Sequence, residues 1–246
     1  MRKNKKKKKL TYLPVILIAG ILIGAAVYSA IKAASPSMLK AYIAAGTGSC
    51  QTSPIFCMAP DREITAGPID KEYLDELALF RFKNLEIRMP KEFTVVHERE
   101  QKVFYKKWKR KTKGSTAFIL SQKPDYFINL FPQAAERGVK NDYEFLERTM
   151  SANLNAIKNT TDAFFVIVKG IFIPNIGDQK TAVMARFTMG KWKGFINYNL
   201  TPEMNYFDCS IITEQNKFYK IYIKDAGSKL DTHKVFAIIS TIKSKK

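Results

Sequence analysis

The chain has 246 residues and a formal net charge of +19, and 46% of its residues are hydrophobic. This hydrophobic content is enough for a packed core and excludes an intrinsically disordered chain. Removing the seven positive charges of the N-terminal tail leaves +12, so the rest of the chain is basic as well. Such a balance favours polyanionic neighbours such as lipid headgroups, acidic glycans or nucleic acid, without choosing among them.

An uncharged run from Leu10 to Ile31 predicts a transmembrane helix. At about 1.5 Å per residue it reaches roughly 33 Å, which is enough to cross a hydrocarbon core of about 30 Å. The apolar character continues to Ala34, so we assign residues 1–9 to a basic cytoplasmic tail and 10–34 to the anchor. We expect Met38 to Ala45 to prolong this helix by a turn or two.

The basic residues indicate how the anchor is oriented. Arg2, Lys3 and the run Lys5 to Lys9 precede the span, whereas the next twenty residues contain only two lysines. This asymmetry predicts a single-pass protein of the cytoplasmic membrane, with its N-terminus inside and its C-terminal domain periplasmic or extracellular. A cleaved signal peptide is the alternative, but its apolar core is usually about 7–15 residues long.

Two further features concern the segments around the membrane. Gly20 and Gly24 form a GxxxG spacing, which allows a homodimer through the anchor. Residues 35–69 are rich in small residues and Pro, which predicts an extended linker or stalk. Cys50 and Cys57 lie in this segment, and an exported domain is in an oxidising compartment, so we expect a local disulfide; two free thiols are the alternative.

Residues 70–246 are the predicted folded domain. Asp70 is expected to cap a short helix that carries Tyr73, Leu74 and Leu77. Alternating or short apolar runs predict strands over residues 85–90, 93–96, 102–111, 116–120, 126–130, 164–173, 181–189, 195–200, 207–213 and 218–223.

Helical periodicity indicates two longer helices. Asn141 and Glu144 form a capping box ahead of an apolar stripe from Tyr143 to Ile157. The last helix carries apolar residues from Val235 to Ile242 on one face. Strands with hairpin-length links between these helices predict an α+β fold, with a mostly antiparallel sheet and helices packed on it.

The segment from Leu85 to Phe93 resembles the opening of PsbP-like domains, in which an alternating strand ends at a Pro and an aromatic residue follows. That group shares its fold with bacterial DcrB. The segment from Val235 to Ile242 is similar to the group's final helix, and the resemblance covers about residues 80–243. It implies an α-β-α sandwich used mostly as a non-catalytic binding or assembly module.

Basic and aromatic residues alternate at two places. Lys106, Lys107, Lys109 and Arg110, here called the basic cluster, surround Trp108. Lys191, Trp192 and Lys193, the basic triplet, repeat the pattern in a turn and would extend the same patch if the fold brought them near. Basic residues can hold phosphates while aromatic rings dock or stack, so these residues are the candidate site for a polyanion or lipid headgroup.

The basic residues and the candidate partners also allow other interpretations. Charged residues on an exposed hairpin also prevent edge-to-edge aggregation of sheets. The N-terminal lysines are interpreted as a topology determinant that touches membrane lipid, so a nucleic-acid partner is not favoured. Other envelope proteins are further candidate partners.

Catalytic chemistry has little support in the sequence. His97 and His233 are the only histidines, and neither has the neighbours of a nucleophile–base pair or the spacing of a zinc ligand. Cys209 lies in an apolar run and is interpreted as a buried core residue. We therefore expect no enzyme, metal or cofactor. The predicted function is a membrane-anchored extracytoplasmic binding or assembly module; a structural subunit of an envelope or secretion complex and a hydrolase are the alternatives.

Overall fold

The computed structural model describes residues 35–82, 85–100, 104–110, 114–173, 180–227 and 229–244. Its α-helices are α1 (Pro36–Thr47), α2 (Lys71–Glu76), α3 (Tyr126–Leu130), α4 (Pro132–Glu136), α5 (Asp142–Ser151), α6 (Thr160–Phe172) and α7 (Thr232–Ser240). Its strands are β1 (Arg62–Thr65), β2 (Leu77–Phe82), β3 (Leu85–Pro90), β4 (Phe93–Glu100), β5 (Phe104–Arg110), β6 (Thr116–Gln122), β7 (Val183–Met189), β8 (Trp192–Leu200), β9 (Met204–Ile212), β10 (Phe218–Ala226) and β11 (Lys243–Ser244). Short 3-10 helices occupy Pro54–Phe56 and Leu154–Ala156.

Eight strands form one sheet in the order β1-β7-β8-β9-β10-β6-β5-β4. Every neighbouring pair among these strands is antiparallel except β1 and β7, which are parallel. A second, antiparallel sheet has the order β11-β3-β2. The predicted α+β fold with a mostly antiparallel sheet and packed helices is therefore confirmed.

Apolar layers pack on both faces of the large sheet. Successive side chains of a strand point to opposite faces, so one strand contributes residues to both layers. On one face, sheet residues such as Phe195, Ile212 and Phe218 pack with apolar residues of α1 and α3 to α6. On the other face, residues such as Ile196, Cys209 and Ile221 pack with α7 and with the small sheet. Two hydrophobic cores thus share the eight-stranded sheet as their common layer.

The two helices expected from periodicity are confirmed. α5 begins at the predicted capping box: the Asn141 side chain accepts a hydrogen bond from the Glu144 amide at 2.9 Å, and Glu144 accepts one from the Lys140 amide at 2.8 Å. α5 ends at Ser151, so Ile157 lies beyond it. α7 begins after Asp231, whose carboxylate accepts from the Lys234 amide at 2.8 Å.

Residues 164–173 are not the strand that their composition suggests, since 164–172 belong to α6 and Ile173 is its C-cap. Asn159 caps this helix by accepting a hydrogen bond from the Asp162 amide at 3.0 Å, and Asp162 accepts one from the Lys158 amide at 2.8 Å. An apolar run that is buried on several sides shows no period, so a buried helix and a buried strand look alike. The cap at Asn159 was the overlooked signal.

Residues 126–130 are likewise helical, as α3, where a strand was predicted. The Asp142 carboxylate accepts hydrogen bonds from the amides of Tyr126, Phe127 and Ile128, at 2.8, 2.9 and 3.2 Å. It therefore supplies the acceptors that the first turn of a helix otherwise lacks. This partner comes from another helix, so local sequence gave no indication of it.

Residues 35–69 pack against the domain instead of extending from it. The Ser35 hydroxyl accepts a hydrogen bond from the Met38 amide, and Ser35 itself has an extended backbone, so α1 begins at Pro36 with its own cap. It does not prolong a preceding helix over Met38 to Ala45 as expected. Leu39 and Ile43 are buried, and α1 packs against α6.

The predicted anchor, residues 10–34, and its pair Gly20 and Gly24 lie outside the described residues. Within the part of the chain that the structure describes, no helix combines the length and the apolar content needed to cross a bilayer.

Candidate functional site

A disulfide joins Cys50 to Cys57 beside α6. The loop between them contains the 3-10 helix Pro54–Phe56, and Phe56 is buried. Its ring lies so close to the backbone of Gly170 that a β-carbon there would approach it to 2.6 Å. Asn153 donates a side-chain hydrogen bond to the Cys57 carbonyl at 2.9 Å. The disulfide loop is therefore part of the folded domain.

A buried lysine fixes the end of this loop. Lys169 of α6 is fully buried, and its Nζ donates hydrogen bonds to the carbonyl oxygens of Met58, Met150 and Ala152. An ammonium group has three N–H donors, so these acceptors match it in number. Burial lowers the pKa of Lys169 to about 7. Lys169 thus connects the chain after the disulfide to the C-terminal end of α5.

Arg186 of β7 makes a second connection. Its Nε donates to both carboxylate oxygens of Glu147 at 3.0 and 3.1 Å, its Nη2 donates to the same carboxylate, and its Nη1 donates to the Pro60 carbonyl at 3.0 Å. The planar guanidinium suits this forked geometry. The contact holds the chain at the start of β1 against α5 and β7.

The surface of α1 and α6 is unusually apolar. Among the residues whose side-chain exposure the structure describes, which leaves out 96–113, the three most exposed large apolar ones are Tyr42, Ile171 and Met38, at 75%, 71% and 64%. Ile167 is exposed as well, one helical turn before Ile171. We call Met38, Tyr42, Ile167 and Ile171 the apolar face. Every exposed residue of these two helices is uncharged.

The fold separates the two basic segments, which would have formed one patch only if they lay near each other. The basic cluster lies on β5, whereas the basic triplet begins in the turn before β8 and continues into that strand. Strands β9, β10 and β6 lie between them, which corresponds to about 19 Å at the usual strand spacing. The structure therefore does not bring these residues together.

Each residue of the basic triplet has a partner within the domain. Lys191 forms an exposed ion pair with Glu214 at 2.7 Å. Trp192 stacks on Tyr219, with ring centroids 6.3 Å apart. Lys193 places its Nζ 3.8 Å from the centroid of the Tyr143 ring. These contacts attach the β7–β8 turn to the domain and leave the basic cluster as the candidate polyanion site.

A buried polar cluster on β8, β9 and β10 escaped the sequence reasoning. Lys220 Nζ lies 2.8 Å from both carboxylate oxygens of Asp208 and donates to the Ser210 hydroxyl at 3.0 Å. Asn197 donates to the same carboxylate at 3.2 Å. Desolvation raises the pKa of Asp208, and the Lys220 charge opposes that rise. Polar residues at alternating positions of otherwise apolar strands were the signal that could have revealed it.

The described residues offer little for catalysis. Cys209 is fully buried, and burial raises the pKa of its thiol, so it is not an accessible nucleophile. His233 borders a cavity of about 260 Å³, together with Tyr73 and the cap residues Asp70 and Asp231. The carboxylates of both cap residues already accept backbone hydrogen bonds. Among the described residues, no group of three or more His, Cys, Asp or Glu side chains could hold a metal ion.

Comparisons with known proteins leave the function open. No family model and no curated protein sequence matches this chain. It is similar to a protein of Bacteroides thetaiotaomicron VPI-5482 of known crystal structure, with a TM-score of 0.32 and 11% identity. The match covers 66% of this chain and 45% of the other, so the chain spans less than half the length of that protein.

Proposed function

We propose that this protein is anchored in the cytoplasmic membrane by residues 10–34 and displays its α+β domain outside that membrane as a binding or assembly module. The observation that carries the proposal is the disulfide between Cys50 and Cys57, a short distance along the chain from the anchor. Disulfides persist in oxidising compartments and are rare in the cytosol. An extracytoplasmic domain follows from that chemistry and from the lysines before the anchor.

The proposed role as a module has two supports. The resemblance of residues 80–243 to PsbP-like domains implies a binding or assembly role, and helices on both faces of the large sheet are compatible with that resemblance. The net charge of the chain after its tail, +12, favours an anionic partner such as lipid headgroups.

Thiol labelling in cells tests the compartment. After denaturation without reductant, a maleimide of high mass should label one cysteine per chain, Cys209, and three after reduction. The variant Cys50→Ser/Cys57→Ser should show one label under both conditions. Three labels before reduction would place the domain in a reducing compartment and contradict the proposal.

Protease treatment of spheroplasts tests the topology independently. The domain after residue 35 should be degraded in intact spheroplasts, and an epitope placed before Lys5 should survive. A mature chain that starts beyond residue 34 would instead show that the apolar run is a cleaved signal peptide.

A further inference from the structure

The apolar face is a surface that the fold itself leaves uncovered. Leu39 and Ile43 of α1 are buried, and α1 packs against α6. Met38 and Tyr42 are one helical turn apart on the exposed side, as are Ile167 and Ile171 on α6. Two packed helices thus present large apolar side chains to the surroundings, an arrangement that marks interaction sites in soluble domains.

The charged groups of these helices form hydrogen bonds within the domain. Lys40 is half-buried and donates to the Asn155 carbonyl at 2.7 Å. Lys169 is buried and bonded to three carbonyl oxygens. Asp162, at the first turn of α6, accepts a hydrogen bond from the Lys158 amide at 2.8 Å. Each charged residue of α1 and α6 thus has a hydrogen-bond partner within the domain, which lowers the cost of a low-dielectric environment next to these helices.

The position of α1 along the chain indicates what covers this face. The uncharged run ends at Ala34, and α1 is capped by Ser35 and starts at Pro36. If the run crosses the bilayer, α1 begins at the membrane surface, and its whole length is only about 18 Å, so it stays near that surface. Tyr42 is also a residue type enriched at the membrane–water interface.

We infer that the apolar face lies in the interfacial region of the lipid bilayer, so that α1 and α6 rest on the membrane beside the anchor. This inference rests on the proposed function, because it requires residues 10–34 to span the membrane. It adds a fixed orientation: the disulfide loop, Lys169 and the packing of α1 on α6 hold the face rigidly to the domain. The small sheet and α7 then point away from the lipid.

Site-specific fluorescence on the full-length chain in vesicles tests this orientation. Single cysteines replace Tyr42 or Ile171 and carry an environment-sensitive fluorophore. Leu79→Cys is the matched control, because Leu79 is a large apolar residue with 42% exposure on β2, in the layer on the opposite face of the large sheet. The native disulfide and the buried Cys209 do not react with the label under non-reducing conditions.

The vesicles contain phosphatidylcholine and phosphatidylglycerol, with or without lipids that carry a nitroxide near the headgroup. The inference predicts blue-shifted emission and quenching at positions 42 and 171, and neither at position 79. Equal quenching at all three positions in a chain that floats with the vesicles would overturn the inference alone. A blue shift without quenching would mean that a second copy covers the face, and would also overturn it. A chain that does not float with vesicles would refute the anchor, and with it both proposals.

Discussion

Replacing Lys169 by Met tests how the buried ammonium contributes to stability. The Met side chain has a similar length and no charge, so it fills the space without donating to the carbonyl oxygens of Met58, Met150 and Ala152. The variant loses three hydrogen bonds but also loses the cost of burying a charge. These two effects have opposite signs, and pH separates them.

Burial lowers the pKa of Lys169 from 10.5 to about 7. Between these values, the unfolded chain keeps a proton that the folded chain has released. Raising the pH in this window therefore stabilises the native protein, because the unfolded state binds more protons. Each pKa unit corresponds to about 1.4 kcal/mol. From pH 7 to pH 9, the wild-type protein should gain about 2 kcal/mol of unfolding free energy relative to Lys169→Met.

The assay is urea unfolding of the full-length chain and of Lys169→Met, both in the same mild detergent, at several pH values from 7 to 9. Comparing the two proteins cancels the titration of all other groups. A difference that is constant over this range would refute the reasoning. It would mean that the three carbonyl oxygens stabilise the ammonium enough to offset its desolvation.

Three other predictions concern the disulfide, the buried ion pair and the basic cluster. Reducing the disulfide should lower the unfolding free energy by about 2 kcal/mol, because the unfolded chain gains loop entropy. In urea unfolding, reductant should shift the midpoint of the wild-type protein and not that of Cys50→Ser/Cys57→Ser. An unchanged wild-type midpoint would contradict the prediction. Lys220→Met should cost about 3–5 kcal/mol by leaving the Asp208 carboxylate buried without its partner, and adding Asp208→Asn should recover most of the loss; a double variant as unstable as the single one would disprove the coupling. Changing the four residues of the basic cluster to Ser should abolish salt-sensitive binding to anionic vesicles, measured by flotation of a chain that begins at residue 35. Changing Lys191 and Lys193 to Ser, as a control, should leave this binding intact. If the variant of the basic cluster still bound the vesicles, the cluster would be only a charged edge of the sheet.

The sequence predicted those elements whose signals are local. The alternation of β3 and the capping box at Asn141 depend on neighbours within a few residues, and both are observed. Strands β3 to β10 were all expected from such patterns, with boundaries shifted by a few residues. The short helix after Asp70 was expected as well, although Leu77 belongs to β2 instead.

Elements that depend on distant partners were beyond sequence reasoning. α3 forms because the Asp142 carboxylate reaches its first turn from another helix. The candidate polyanion patch failed to assemble because strand order, which no local pattern encodes, puts three strands between β5 and β8. The apolar face was missed for a related reason. Residues 164–173 were predicted to form a strand, and only the three-dimensional packing shows which apolar residues of α6 remain exposed.

The parallel pairing of β1 with β7 has a consequence for how the chain folds. Arg62 lies opposite Ala185, so β1, an edge strand of the large sheet, pairs with residues that are more than a hundred positions later in the chain. The hairpins from β7 to β10 join near neighbours and have a much smaller loop-closure cost. We therefore expect β1 to dock late, onto a sheet already nucleated by the C-terminal half of the chain.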